Sequence, residues 1–425
     1  MNLAGSRVLV GIGGGIAAYK AAHVVRGLVA SGADVHVVPT AASLEFVGAA
    51  TWEALSHQPV RTGVFEDVDQ VAHVRSGQEA DLLLILPATA DLLARLRIGR
   101  ADDMLTASAL VTRAPVVIAP AMHTEMWEHP ATVENVAVLR ERGVQVLEPA
   151  VGRLTGPDSG PGRLPEPDAI LAAVAAVAAA PRDQRGVRQD LAGAHVLITA
   201  GGTREDIDPV RFLANHSSGK QGWALAHAAL ARGARVTLIA TELDLETPPG
   251  ARRIDVRSAA DLAEAVAAHL PEADVLVMAA AVADFTPASR EAAKIKKSED
   301  DPDGAPAIPL RRTQDVLRTS VEERDRRRGS EASARPGIIV GFAAETGDPE
   351  TSALDHARAK ARRKQADLLV FNDVSGDVFG SEHTRVSVLD RRGEELAAAQ
   401  GSKITVAHAV IDQVSTMRGD VPWTS

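Results

Sequence analysis

Arg7-Val8-Leu9-Val10-Gly11-Ile12-Gly13-Gly14-Gly15-Ile16-Ala17-Ala18-Tyr19-Lys20 sets the fold class. Val8–Ile12 is a short apolar run and reads as a buried strand. Ile16–Ala30 reads as the helix that follows, with a glycine loop between them. Working outward, Asp34–Pro39, Asp81–Leu86 (DLLLIL) and Pro115–Ala119 (PVVIA) are further strands, and Val144–Leu147 is an edge strand. Short apolar strands alternating with helical patterns imply a parallel sheet covered on both faces. Asp168–Ala180, rich in Ala and Val, reads as a closing helix.

The polar stretch 182–190 after Pro181 lacks periodicity and reads as a linker between residues 1–181 and 191–425. The strand–loop–helix pattern then restarts. His195–Thr199 is a strand, Ala200–Thr203 a loop and Gln221–Arg232 a helix. Arg235–Ala240, Asp274–Ala279, Gly337–Gly341 and Asp367–Phe371 complete a second parallel sheet. Ser298–Ala305 and Glu322–Arg335 are charged and read as loops or helix ends. The expected class is α/β, with two Rossmann-like domains and mainly parallel sheets.

A chain of 425 residues exceeds one ordinary core, which agrees with two domains. Hydrophobic residues make up 45% and aromatics 3%, so the cores are built from Ala, Val and Leu. The net charge of −10 argues against a general nucleic-acid binder but allows a local basic pocket. The absence of cysteine excludes disulfides, thiolate catalysis and Cys-based metal sites. Neither a signal-peptide pattern nor an uncharged run long enough to span a bilayer is evident, so a cytoplasmic enzyme is expected.

A glycine loop that ends a strand and opens a helix lets backbone amides approach an anion. It is also compatible with a tight turn that binds nothing. The second strand ends Val38-Pro39-Thr40 with Ser43 nearby, and has no acidic residue for a ribose diol. A hydroxyl pair suits a terminal phosphate, which favours a mononucleotide over a dinucleotide. Pro87–Asp91 and Pro120–Trp127 follow later strands at the end where α/β sheets bind ligands. The second of these also reads as a hydrophobic plug of Met and Trp. Gly152–Arg163 (GRLTGPDSGPGR) holds four glycines and two prolines in twelve residues and reads as a lid or turn, neither helix nor strand.

Taken in order, the glycine loop ending in Lys20, the isolated His73, Pro87–Asp91, Pro120–Trp127 and the glycine-rich flap resemble the flavin-dependent cysteine decarboxylases, in particular the phosphopantothenoylcysteine decarboxylase branch. The resemblance spans essentially residues 5–180. It implies a flavodoxin-like, FMN-binding fold, usually trimeric. It places FMN against Gly13, Gly14, Gly15, Ile16, Thr40, Ser43, Phe46, Pro87, Thr89, Met104, Thr106 and Ser108. It makes His73 the catalytic base or proton handler, and sets Met122, Thr155, Gly156 and Arg163 against substrate. The flavin oxidises the thiol side of the cysteine, which labilises the carboxylate, and the product of CO2 loss is then reduced. Two positions depart from the pattern. His123 stands where the family has a carboxylate-binding Asn, and Gly156 stands where the flap carries a proton-donating cysteine. Either another flap group such as Asp158 serves, or the reductive half runs differently.

Thr203–Gly222 (TREDIDPVRFLANHSSGKQG), Ala279–Phe285, Lys294–Lys297 (KIKK), Gly341–Thr346 (GFAAET) and Lys360–Asn372 resemble phosphopantothenate–cysteine ligase, over about residues 190–415. Without the resemblance, the lysines also read as solvated faces. The resemblance implies activation of the 4′-phosphopantothenate carboxylate by CTP to an acyl-cytidylate, then displacement of CMP by the cysteine amine. It assigns Asn215 to the acyl-cytidylate and Arg211 to substrate. It assigns Ala279, Ala280, Asp284, Lys294, Gln314, Asp315, Val316, Leu317, Phe342, Lys360 and Lys364 to CTP, with Mg2+ screening the triphosphate and its metal ligands left open. Gly202 stands where proline is common.

The two resemblances describe consecutive steps of coenzyme A synthesis. They imply small-molecule partners and a homo-oligomer with trimeric decarboxylase and dimeric ligase contacts, up to a dodecamer. Two rivals stand beside this reading. An NAD(P)-dependent oxidoreductase would use the first glycine loop but lacks the acidic ribose partner. A ligase with a non-catalytic, regulatory flavoprotein half is kept open by His123 and Gly156.

Overall fold

The computed structural model describes residues 3–61, 72–154, 156, 158–184, 186–241, 245–296, 307–328, 335–373, 383–419 and 423. The chain divides into two compact units. One is Met1–Gln189 with Glu246–Gly250, the other Asp190–Leu245 with Ala251–Ser425.

The first unit contains β1 (Arg7–Ile12), α1 (Ala18–Ala30), β2 (Asp34–Pro39), α2 (Ala41–Leu44), α3 (Ala49–Ser56), α4 (Ala72–Glu79) and β3 (Leu82–Ala88). It continues with α5 (Ala90–Ile98), α6 (Met104–Val111), β4 (Val116–Pro120), α7 (Thr124–Trp127), α8 (Pro130–Glu141) and β5 (Gln145–Val146). A hairpin of β6 (Ala150–Arg153) and β7 (Ser159–Arg163) precedes α9 (Pro167–Ala179). The sheet runs β2-β1-β3-β4-β5 and every ladder in it is parallel. All seven residues of β3 are buried, as expected for a central strand covered on both faces.

Three expectations change here. The helix predicted from Ile16 begins at Ala18, because Gly15 to Ala17 form the turn that closes on it, and Ile16 is 60% exposed. The flap predicted to be neither helix nor strand is an antiparallel hairpin, β6–β7. Its glycines permit contacts that a side chain would block. A Cβ on Gly160 would lie 2.3 Å from Thr124 Oγ1, and one on Gly162 would lie 2.2 Å from the Met122 carbonyl oxygen. The linker 182–190 is structured as well. Arg182–Asp183 (β8) pairs with Gly186–Val187 (β9), and Asp190 opens the second unit by binding the fully buried Arg232, which also meets Asp412.

The second unit contains β10 (His195–Ala200), β11 (Arg204–Asp206), β12 (Phe212–Ala214), α10 (Lys220–Ala231), β13 (Arg235–Ala240), β14 (Ala251–Asp255), α11 (Ala259–His269), β15 (Val275–Met278), β16 (Phe285–Pro287) and β17 (Leu310–Arg312). It ends with α12 (Val316–Arg328), β18 (Ile338–Glu345), α13 (Ala353–Lys364), β19 (Leu368–Asp373), β20 (His383–Asp390), β21 (Glu395–Ser402) and α14 (Lys403–Arg418). Its sheet is larger than predicted, with order β14-β13-β10-β15-β18-β19-β20-β21. The ladders from β14 to β19 are parallel, and the last two are antiparallel. Glu322–Arg328 is the end of α12, while Ser298–Ala305 lies outside the described residues. One face of the sheet packs β10, β13, β15 and β18 against α10 and α14 through small and branched apolar side chains. Among the described residues no helix is long and apolar enough to cross a membrane.

Candidate functional sites

In the first unit the chain steps from β1 to β2 on one side and continues through β3 and β4 on the other. The strand order therefore reverses between β1 and β3, and the crevice beyond their C-terminal ends is where such sheets bind ligands. The glycine loop lies there. A Cβ on Gly13 would stand 2.1 Å from the Pro87 carbonyl oxygen, and one on Gly14 would stand 2.5 Å from Ala42 Cβ. Both glycines are thus required by the packing of this loop against the ends of β3 and β2. Gly15 differs, because the nearest atom to its Cβ would be Thr89 Cγ2 at 3.8 Å. A side chain there would meet Thr89 and Pro87 only at ordinary van der Waals distance, so packing does not demand a glycine. An uncharged cradle of glycine amides at the N-terminus of α1 fits the phosphate of a flavin mononucleotide.

Thr40 and Ser43 are buried beside this loop. The Thr40 hydroxyl donates to the Ile12 carbonyl at 3.1 Å, and the Ser43 hydroxyl donates to the Thr40 carbonyl at 2.7 Å. Thr89 caps α5 by accepting from the Leu92 N–H. Phe46 is 49% exposed. Met104, Thr106 and Ser108 are buried in α6, where the Thr106 hydroxyl closes a capping box with Asp103.

The Pro120–Trp127 loop is tied to the flap. Met122 N–H donates to the Gly162 carbonyl at 2.9 Å, and Thr124 Oγ1 donates to the Pro161 carbonyl at 2.8 Å. This brings His123 to Asp158, with Nδ1 donating to the carboxylate at 3.1 Å. Met122 and Trp127 also pack on the core, so the plug reading holds alongside the ligand reading. Arg163 donates to Glu166, which Lys20 of α1 shares at 2.9 Å. His73 lies in α4 with its side chain outside the described residues, and Thr155 is likewise outside them.

In the second unit two buried threonines stitch the loops after β10 and β15. Thr199 Oγ1 accepts from Ala280 N–H at 3.1 Å, and Thr203 Oγ1 accepts from Ala283 N–H at 2.9 Å. Asn215, just after β12, donates from Nδ2 to the Val282 carbonyl at 3.1 Å. This ties Asn215 to the segment beyond β15 that carries Asp284. Asp284 and Lys294 are exposed. Lys360 pairs with Glu345 at 2.7 Å, and Lys364 pairs with Asp315. Burial pushes the Asp315 carboxyl up, but Lys364 and the Arg318 N–H outweigh it and hold it below its ordinary value. Gln314 and Asp315 are exposed, whereas Val316 and Leu317 are buried. The Val316 and Leu317 side chains pack in the core beside α11. Phe342 is half-buried on β18.

A family model described as Flavoprotein matches residues 1–179, and one described as the DNA/pantothenate metabolism flavoprotein C-terminal domain matches residues 191–417. The coenzyme A biosynthesis bifunctional protein CoaBC of Mycolicibacterium smegmatis is 54% identical, covering 96% of this chain and 97% of that relative. Its counterpart in Mycobacterium tuberculosis is 55% identical over 96% of each chain. That of Bacillus subtilis is 40% identical over 96% of this chain and 97% of its own. The chain belongs to this family.

As a coenzyme A biosynthesis bifunctional protein it is an enzyme with two activities, and its N-terminal half is a flavoprotein. In this family member the glycine loop, Thr40, Ser43, Pro87 and Thr89 come together, as do His123 and Asp158, and Asn215 with Val282 to Asp284. Lys360 and Lys364 meet carboxylates of their own unit. The sequence reading missed Thr124, Thr199, Thr203 and Asp208. Thr199, Thr203 and Asp208 are buried polar groups inside or beside quoted motifs, and that was the available signal. Among the described residues no cluster of His, Asp and Glu has the makings of a metal site.

Proposed function

We propose that residues 191–425 join cysteine to 4′-phosphopantothenate with CTP and that residues 1–181 decarboxylate the product to 4′-phosphopantetheine. The observation that carries this reading is the contrast between two strand-end clefts in one chain. The first is built of glycine amides and hydroxyls, and the second gathers Asn215, Asp284 and a lysine-bearing segment. The cradle at Gly13–Gly15 would hold the phosphate of FMN, with Ile16 and Phe46 exposed beside it. Bound FMN supplies reversible two-electron chemistry to the cysteinyl moiety. His73 moves the proton at the reacting centre. Met122 and the flap residues Thr155, Gly156 and Arg163 enclose the substrate. His123, oriented by Asp158, stands beside the substrate carboxylate, where an amide would otherwise serve.

In the second unit Asn215 orients the carboxylate that attacks CTP. Lys294, Lys360 and Lys364 sit against the triphosphate, and Mg2+ brought with the nucleotide would supply further charge screening. The carboxylates Glu345 and Asp315 hold two of these lysines until nucleotide arrives. Exposed apolar side chains support homo-oligomer contacts on both units. Ile16 and Tyr19 are 60% and 56% exposed in the first, and Phe212, Phe285 and Leu310 are 44%, 46% and 50% exposed in the second.

Two substitutions separate the halves. His73→Asn is expected to abolish CO2 release from supplied 4′-phosphopantothenoylcysteine and leave ligation at the parent rate. Asn215→Asp is expected to stall ligation at or before the acyl-cytidylate and leave decarboxylation intact. Undiminished CO2 release in the first, or normal ligation in the second, contradicts the assignment of that residue.

A further inference from the structure

The segment Arg290–Lys296 carries Lys294 and Lys296, both exposed, yet it forms no helix or strand. It is held from outside, by the turn between β11 and β12. Arg290 meets Asp206 at 3.1 Å, and Glu291 N–H donates to the Ile207 carbonyl at 3.0 Å. The remaining ties converge on Ile295, the residue between the two lysines. Its N–H donates to Asp208 Oδ2 at 3.1 Å, and its carbonyl accepts from Arg211 Nη2 at 3.0 Å. One carboxylate organises both ties at Ile295. Asp208 Oδ1 accepts from the N–H groups of Val210 and Arg211, each at 2.8 Å, which closes the turn. Asp208 Oδ2 also receives Arg211 Nε at 2.9 Å and Nη2 at 2.5 Å, which aims the guanidinium at Ile295.

We propose that Asp208 is a positioning residue for the ligase, fixing the Ile295 backbone so that Lys294 is presented to the nucleotide triphosphate. This rests on the reading that Lys294 meets CTP. Asp208 is 1% exposed, so it is placed to act through its neighbours and not on the ligand. The Arg211 guanidinium, with help from backbone N–H groups, holds its carboxyl far below the usual carboxylate range, so it stays ionised at any assay pH. Paired with Arg211, the carboxylate can stand near a polyphosphate site without adding net negative charge. A lysine on an irregular segment would otherwise lose conformational entropy on engaging a phosphate, and the clamp makes part of that loss before the ligand arrives.

The test uses the full-length protein and its Asp208→Asn, Arg211→Lys, double and Lys294→Met variants. The asparagine still accepts from the turn but loses the charged acceptor that receives Ile295 and Arg211. Ligation kcat/KM for CTP is expected to fall about 100-fold in Asp208→Asn, the scale of a misplaced catalytic group, and mainly through KM. Cleavage of the native protein by trypsin after Lys294 is expected to rise roughly tenfold as the segment opens locally. Because both residues act on Ile295, the double variant is expected to lose little more than the worse single. Decarboxylation of supplied 4′-phosphopantothenoylcysteine stays at the parent rate. Ligation within twofold of the parent in Asp208→Asn, or lost ligation without faster cleavage, overturns the inference. Where Asp208→Asn does not fold, Arg211→Lys keeps the charge and loses the fork; because Arg211 is itself assigned to substrate, cleavage after Lys294 is the readout there, and cleavage at the parent rate overturns the inference. Normal ligation in Lys294→Met overturns the CTP reading beneath it. Lost ligation in Lys294→Met with normal ligation in Asp208→Asn overturns only the role given to Asp208.

Discussion

At the residue scale, the three glycines of the first loop do different work. Gly13 and Gly14 are demanded by protein packing, because their Cβ atoms would overlap Pro87 and Ala42. Gly15 is not, because its Cβ would meet only an ordinary contact. Gly13→Ala is therefore expected to lower stability by about 1–3 kcal/mol, the cost of overpacking, and to lose flavin with it. Gly15→Ala is expected to unfold at the parent temperature when stripped of flavin, yet to reconstitute poorly. Visible absorbance after reconstitution, set against thermal unfolding of the stripped protein, reads both. If Gly15→Ala takes up flavin as well as the parent does, the loop is a tight turn and not a cradle.

At the element scale, the flap hairpin shows what sequence pattern conveyed and what it missed. β1, β10 and β13 were legible as apolar runs because nearly every residue in each is buried, and β2 was legible although Asp34 and His36 leave one face of this edge strand half-buried. β6 and β7 were not, because glycine and proline are poor strand formers. Here the ladder forms on the Pro120–Trp127 loop, where only glycine fits against Thr124 and Met122. β20 did carry a signal. Thr384, Val386 and Val388 alternate at a spacing of two and are all buried. β21, with Glu395, three alanines and Gly401, has little strand propensity and is formed by pairing with β20. Gly162 has φ of +144°, which an L side chain rarely adopts, and a Cβ there would strike the Met122 carbonyl. Gly162→Ala is expected to unseat the flap at a cost of about 1–3 kcal/mol of backbone strain, and so to lower decarboxylation at least tenfold. Ligation by the same protein is expected to be unchanged. Equal rates of CO2 release would show that the hairpin does not need its seat on Met122.

At the scale of the whole molecule, both units carry their candidate sites at the C-terminal ends of parallel strands, where such topology binds ligands. Reaction class did not follow from topology. The residues alone indicated a mononucleotide site and an anion site, and the ordered motifs shared with the family supplied the two reactions. The absence of any cysteine removes the thiol expected on the flap, and His123 with Asp158 is the polar pair found there instead. The direct measurement is the product mass after the purified full-length protein is incubated with FMN, 4′-phosphopantothenate, cysteine, CTP and Mg2+. The account predicts 4′-phosphopantetheine, the ligated product less one carbon dioxide and with its carbon–carbon bond saturated. Accumulation of 4′-phosphopantothenoylcysteine, or release of an unsaturated thiol after carbon dioxide loss, contradicts it.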